Sequence, residues 1–416
     1  MSLDKETLRV ALLTYRGNPH SGGQGVYVHY LSAALRDLGH HVEVFSGPPY
    51  PDVPASVALT KVPSLELYRA DDPFRRPARE EFTSAIDVLE YGLMCTAAYP
   101  EPLTFSLRAA SLLRKRVGDF DIVHDNQCLG YGLLDVQRRG LPIVATLHHP
   151  ISLDLKLELA NADERKKRLS LRRWYSFTRM QKRVARRVMR VIAVSESAAR
   201  EAEVEFDLSS DRVTVIHNGV DADLFTPLES VAAKPGRIIT TASADVPLKG
   251  LVFLIEALAK LRTERDVELV VVGKARAHGS VRQAIDRLGV GDAVRFETGV
   301  STLRLVELYA ESEVAVVPSL YEGFSLPAVE AMSCGVPLIT TTAGALPEVV
   351  GRSGEAAVTV PPSDAEALAA AIRALLDDPR ERQRLAGAGR KRVIERFTWE
   401  RAALATTDQY RQVLSC

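Results

Sequence analysis

Short apolar runs alternate with amphipathic stretches along most of the chain, and the alternation stops once and then starts again. Leu8 to Tyr15 reads as a buried strand, Gly25 to Leu38 as a helix and His41 to Ser46 as the next strand. Asp121 to His124, Ile143 to Leu147, Arg190 to Val194 and Val213 to Ile216 repeat the strand pattern. Residues 48–82 are rich in proline and charge, lack a period, and predict an elaborated loop. Phe225 to Arg237, with two prolines and no period, predicts a linker. The alternation then resumes with strands over Arg237–Ala242, Val267–Gly273, Ala293–Phe296 and Val314–Pro318. Helices over Leu251–Arg262, Val281–Leu288 and Thr302–Glu311 separate them. Ser363 to Leu376 predicts a helix capped by Ser363 or Asp364, and Thr398 opens a last one. Strands and helices in alternation predict doubly wound parallel sheets, here in two α/β domains.

Composition narrows the function without naming it. A chain of 416 residues is long for one core. Its 53 basic residues balance 53 acidic ones, so no overall field favours nucleic acid. Cys95, Cys128, Cys334 and Cys416 lie far apart with no metal or redox spacing, as in a reduced, cytoplasmic protein. The opening residues lack the pattern of a signal peptide, and no uncharged apolar run is long enough to cross a bilayer.

Chemistry concentrates in Tyr321-Glu322-Gly323-Phe324-Ser325-Leu326-Pro327-Ala328-Val329-Glu330. An apolar strand leads into Glu322, a glycine turn follows, and a helix carries Glu330 about two turns on. Free backbone N–H groups at a helix start favour anions. Two acceptor carboxylates beside them suit a polyhydroxylated ligand that also carries phosphate, such as a nucleotide-sugar. Gly22-Gly23-Gln24-Gly25, between the first strand and its helix, is a second place where backbone can approach a phosphate. It lacks the ribose-binding acid of a dinucleotide fingerprint. A glycosidase would need its carboxylates on opposite sides of a bond, and two Glu from one turn and its helix serve one face.

These residues resemble the Glu-x7-Glu motif of retaining family-4 glycosyltransferases, which have the GT-B fold. The resemblance extends through Leu38-Gly39-His40-His41-Val42, Ala145-Thr146-Leu147-His148, His217-Asn218-Gly219-Val220-Asp221, Lys249-Gly250 and Cys334-Gly335-Val336-Pro337. It implies two Rossmann-like domains facing a cleft: residues 1–219, on the acceptor side and completed by a helix over 398–416, and residues 220–397, holding the donor. It implies metal-independent transfer of a hexosyl unit, without cofactor, from a nucleotide-diphosphate sugar to a hydroxyl acceptor, including a lipid-linked or phosphorylated one. By the resemblance, His148 and Glu322 orient the donor sugar, and Lys249 with Gly22 and Gly23 steadies the leaving diphosphate. Gly323, Phe324, Ser325 and Leu326 offer backbone N–H groups, and Glu330 takes the ribose hydroxyls.

The chain departs from the family at one point. An arginine usually precedes the lysine by five or six residues, where Ser243 and Ala244 stand; Asp245 nearby has the wrong sign for a phosphate. Arg276 is the nearest replacement cation. A related sugar phosphorylase or synthase, or a non-catalytic nucleotide-sugar binder, stays open on these residues. His124, Asp125 and His149, at or beside strand ends, are candidates for lining the acceptor cleft. A zinc site from His124, His148 and His149 lacks a recognisable spacing. The stretch from Glu164 to Arg190 carries twelve basic residues, with Trp174, Phe177, Val184 and Val188 at helical spacing as a core stripe. Its cationic face is either solvated or rests on the anionic inner face of a membrane. No RNA-binding motif accompanies it.

Overall fold

The computed structural model describes residues 7–18, 23–69, 71–160, 162–242, 246–276 and 279–415. Gly22, Ser243, Ala244 and Asp245 lie outside the described residues. The chain forms two units. One runs to Ile216 and takes in the residues from Ala402 on; the other is His217–Arg401.

In the first unit the strands are β1 (Arg9–Thr14), β2 (His41–Ser46), β3 (Ala58–Lys61), β4 (Ile122–Asn126), β5 (Ile143–Leu147), β6 (Arg190–Ala193) and β7 (Val213–Val215). They lie in the order β3-β2-β1-β4-β5-β6-β7, and every pair is parallel. Leu12 and Leu13 on β1 are fully buried on opposite faces, as a sheet covered on both sides requires. Burying such a side chain contributes about 1.5–3 kcal/mol relative to leaving it exposed. The elaborated loop predicted over 48–82 contains a strand that the prediction lacked: β3 pairs with β2 at the sheet edge. Its alternating Ala-Leu-Thr-Lys is half-exposed, so it lacks the apolar run that marks the inner strands.

The second unit holds β8 (Lys234–Thr241), β9 (Glu268–Val272), β10 (Val294–Glu297), β11 (Ser312–Val317), β12 (Leu338–Thr341) and β13 (Val358–Val360). Their order is β10-β9-β8-β11-β12-β13, again all parallel. β8 begins inside the segment predicted as linker. The helix Ala365–Asp377 packs Leu368, Ile372 and Leu375 into the core, and Asp364 caps it by accepting from the Ala367 N–H at 2.9 Å. Two parallel Rossmann-like sheets with helices on their faces make this an α/β protein of two such units.

In both sheets the chain reverses its direction of growth once, between β1 and β4 in the first unit and between β8 and β11 in the second. Open α/β sheets bind ligands beyond the carboxyl ends of the strands at such a switch point. Lys249 follows β8 and Glu322 follows β11, at the second of these places, and His148 follows β5, next to β4.

Candidate active site

In the first unit a polar row closes the carboxyl end of the sheet. Ser46, Thr14, Asn126 and Thr146 lie side by side in register across β2, β1, β4 and β5, and all four are buried. The helix Gln24–Asp37 starts above this row. Gly25 is there because a Cβ would stand 2.1 Å from the carbonyl oxygen of Asn18. Gly23 is exposed, and its carbonyl accepts the first helical bond from Tyr27 at 2.8 Å.

His148 follows β5 and is half-buried. Its Nε2 lies 2.7 Å from Asn126 Oδ1, and the Tyr27 ring meets it edge-on with centroids 5.0 Å apart. Gln127, at positive φ, holds the backbone here. Its Oε1 accepts from the His148 N–H at 2.5 Å, and its Nε2 donates to the His149 carbonyl at 2.8 Å. Burial, with the His149 charge second, pushes the His148 imidazole down to about 3, so the ring is neutral at neutral pH.

The three weaker candidates separate. His149 is half-buried and bonds Asp154 at 3.0 Å. His124 is fully buried and both ring nitrogens are engaged, Nδ1 with the Tyr410 hydroxyl at 2.5 Å and Nε2 with Thr146 Oγ1 at 2.7 Å. Asp125 is fully buried too, and its Oδ2 accepts from the Leu129 N–H at 2.8 Å. His124 and Asp125 therefore stand behind the surface of the site instead of lining it. Tyr410, on the last helix (Trp399–Leu414), reaches His124 from that side. Among the described residues no group of three or more His, Cys, Asp or Glu is placed to hold a metal.

In the second unit two loops meet at the β8/β11 switch point. Pro247–Lys249 forms a single 3-10 turn ended by Gly250 at φ 65°, and the Leu320 N–H donates to the Leu248 carbonyl at 2.7 Å. A Cβ on Gly250 would stand 2.0 Å from the Pro318 carbonyl oxygen. Lys249 Nζ donates to Glu322 Oε1 at 2.8 Å, and Ser319 Oγ donates to the same oxygen at 2.8 Å. The Glu322 carbonyl accepts from the Ala345 N–H at 2.9 Å, where Gly344, at φ 55°, leaves room for it.

The helix Leu326–Ser333 begins at Ser325, whose φ of 90° is costly for a residue with a side chain. Its buried hydroxyl has no hydrogen-bond partner among the described residues. Phe324 is buried against His217 and Phe397, fixing the turn from behind. Gly323 and Leu326 complete that turn, half-buried. Glu330 lies one face in, against the Tyr309 hydroxyl, which also bonds Thr241 at 3.0 Å. Burial pushes the Glu330 carboxyl up to about 7. Arg276, after β9, is exposed at the same end of the sheet. Tyr27, Asn126, Gln127, Ser319 and Tyr309 were not singled out from sequence. Asn126 ends β4, Gln127 and Ser319 follow strands, and Tyr27 and Tyr309 lie on helices, so only the folded chain brings them to the strand ends.

The model of the family described as "Glycosyltransferase Family 4" matches residues 21–224, and that described as "Glycosyl transferases group 1" matches residues 228–392. An MMP alpha-(1->4)-mannosyltransferase of Mycolicibacterium hassiacum is 51% identical over 98% of this chain and 99% of its own length. The chain belongs to glycosyltransferase family 4. A second relative of this family-4 glycosyltransferase is a D-inositol 3-phosphate glycosyltransferase of Catenulispora acidiphila. It is 30% identical over 97% of this chain and 94% of its own. Among solved structures, sucrose-phosphate synthase from Thermosynechococcus elongatus superposes with a TM-score of 0.75 at 25% identity, covering 98% and 99% of the two chains. Anabaena HepE, solved in complex with UDP and glucose, gives 0.70 at 19% identity, covering 97% and 99%. These neighbours place the glycosyltransferase in the GT-B fold.

Proposed function

We propose that this glycosyltransferase moves a mannosyl unit from a nucleotide-diphosphate sugar to a sugar 4-hydroxyl, with retention at the anomeric carbon and without a metal. The observation that carries the donor assignment is the Lys249–Glu322–Ser319 cluster beside the strained start of the Leu326–Ser333 helix. Lys249 spends one N–H on Glu322 and has two left for phosphate oxygens. Backbone N–H groups at Gly323 to Leu326 add to them. Glu330 as a carboxylate accepts from the ribose hydroxyls, while His148 and Glu322 orient the sugar. The 51% full-length identity to a mannosyltransferase supports the choice of sugar and linkage over an inositol phosphate acceptor.

In the proposed step the bond from the anomeric carbon to the diphosphate breaks, and its electron pair leaves with the phosphate oxygen. The acceptor oxygen forms the new bond from the same face, and its proton passes to the departing diphosphate. Positive charge from Lys249 stabilises the leaving group as charge develops. Nucleoside diphosphates should raise the thermal midpoint of the parent protein. Lys249→Ala and Glu330→Ala should abolish that rise and remain folded; an unchanged rise in both rejects the donor site.

The proposal includes a partner surface. The helix Arg165–Trp174 carries six basic residues and no acidic one, and buries none of its side chains among the described residues. Basic residues near an anionic bilayer contribute about 1 kcal/mol each, which fits peripheral contact with the inner face of a membrane. No helix among the described residues is long and apolar enough to cross one. The protein should sediment with phosphatidylglycerol vesicles and stay in solution with phosphatidylcholine ones. Equal recovery with both removes this surface from the account.

A further inference from the structure

Asn126 lies behind His148, and its amide has only one workable orientation. The Nδ2 group is 3.4 Å from the Gln24 carbonyl oxygen and 3.4 Å from Thr14 Oγ1. A carbonyl only accepts, so it must face the NH2 group. The Thr14 hydroxyl gives its proton to the Arg16 carbonyl at 2.8 Å, so toward Asn126 it too is an acceptor. The amide oxygen is thereby turned to His148 Nε2 at 2.7 Å, and an amide oxygen can only receive a proton. Nε2 must carry the hydrogen. In the neutral ring Nδ1 then keeps its lone pair, and among the described residues it has no hydrogen-bond partner. The edge-on Tyr27 ring packs against the imidazole, and the Gln127 amide, bonded to the His148 N–H and the His149 carbonyl, fixes the backbone that carries it.

We propose that Asn126 is a positioning residue that holds His148 in the Nε2–H tautomer, so that the histidine meets the donor sugar as a hydrogen-bond acceptor for one of its hydroxyls. This rests on the reading of His148 as a sugar contact, and it adds a direction to that contact. The hydroxyl donates to the ring, so a donor analogue carrying fluorine or hydrogen there loses the bond. Thr14 and the Gln24 carbonyl are part of the same device, because without acceptors behind it the amide is free to flip.

The test is a long-range proton–nitrogen NMR spectrum of the 15N-histidine-labelled, ligand-free protein at neutral pH, with His148 assigned by its loss in His148→Gln. The expected spectrum has Nδ1 with the shift of an unprotonated ring nitrogen and Nε2 with that of a protonated one. Asn126→Leu, which removes the acceptor at about the same size, should give a mixture of the two neutral tautomers and lower kcat/KM at least tenfold. Thr14→Val, which keeps the shape and leaves the Gln24 carbonyl in place, should move the spectrum less and cost less in kcat/KM than Asn126→Leu. A parent spectrum with the proton on Nδ1, or an unchanged spectrum in Asn126→Leu, overturns the proposal. The spectrum needs no donor, so it can fail while His148 still binds sugar. Conversely, an intact tautomer with unaltered donor affinity in His148→Gln would overturn the sugar contact itself.

Discussion

Residue by residue, the site is built from groups whose ordinary chemistry has been displaced by burial. Glu330 is the clearest case. Its folded carboxyl is pushed up to about 7 by desolvation, against an ordinary value of 4.5. The folded protein therefore holds this proton more tightly than the unfolded chain. The stability it contributes is fully present below about 4.5 and is lost as pH rises through about 7. In its proposed role Glu330 accepts from ribose hydroxyls as a carboxylate, so nucleotide affinity should run the other way and rise through the same range. Glu330→Gln should make affinity flat with pH and about tenfold weaker than the parent at pH 8, the loss of one hydrogen bond to a charged acceptor. It should also be the more stable protein above pH 7, by on the order of 1 kcal/mol. Calorimetric titration of a nucleoside diphosphate at several pH values checks both directions. Both glutamates stand out in the sequence by their spacing around the Gly323 turn. Tyr309 was not, because it sits on another helix and meets Glu330 only through packing. His124 was misjudged for the same kind of reason. A histidine at a strand end reads like a cleft residue, and the Tyr410 hydroxyl that covers it comes from the far end of the sequence.

The element scale concerns how two loops are fastened at the second sheet's switch point. Gly250 and Gly344 each have positive φ, and each lies against a backbone carbonyl of the Pro318–Glu322 segment, with a Cβ placed 2.0 Å and 2.3 Å from it. Adding a methyl group there cannot be relieved by turning a side chain. Gly344→Ala and Gly250→Ala should each destabilise the protein by about 1–3 kcal/mol and shift Glu322 relative to Lys249. The expected result is a lower thermal midpoint together with weaker nucleoside diphosphate binding; full affinity in the surviving folded fraction would show that the loop geometry is not used. Most strands were legible because buried parallel strands are apolar throughout. The exceptions are β3, a half-exposed edge strand, the start of β8, where Lys234, Pro235 and Gly236 read as linker, and β12 and β13, short at four and three residues and not predicted.

At the scale of the whole molecule, two parallel sheets with one switch point each account for why chemistry-bearing residues a hundred positions apart in sequence gather at strand ends. The sequence carried the fold class through its alternation, and carried the family through motifs spread along its length. It could not carry the sugar or the linkage, because those depend on a few loop contacts and not on the scaffold. The most direct test of the account is turnover. The protein would be incubated with UDP-, GDP- and ADP-linked mannose and glucose and a panel of hexosides with a free 4-hydroxyl, and the products read by NMR. The account predicts release of the nucleoside diphosphate from a mannosyl donor together with a new α-(1→4)-linked mannoside. A β-linked product, or donor binding with no transfer to any sugar hydroxyl, would contradict it.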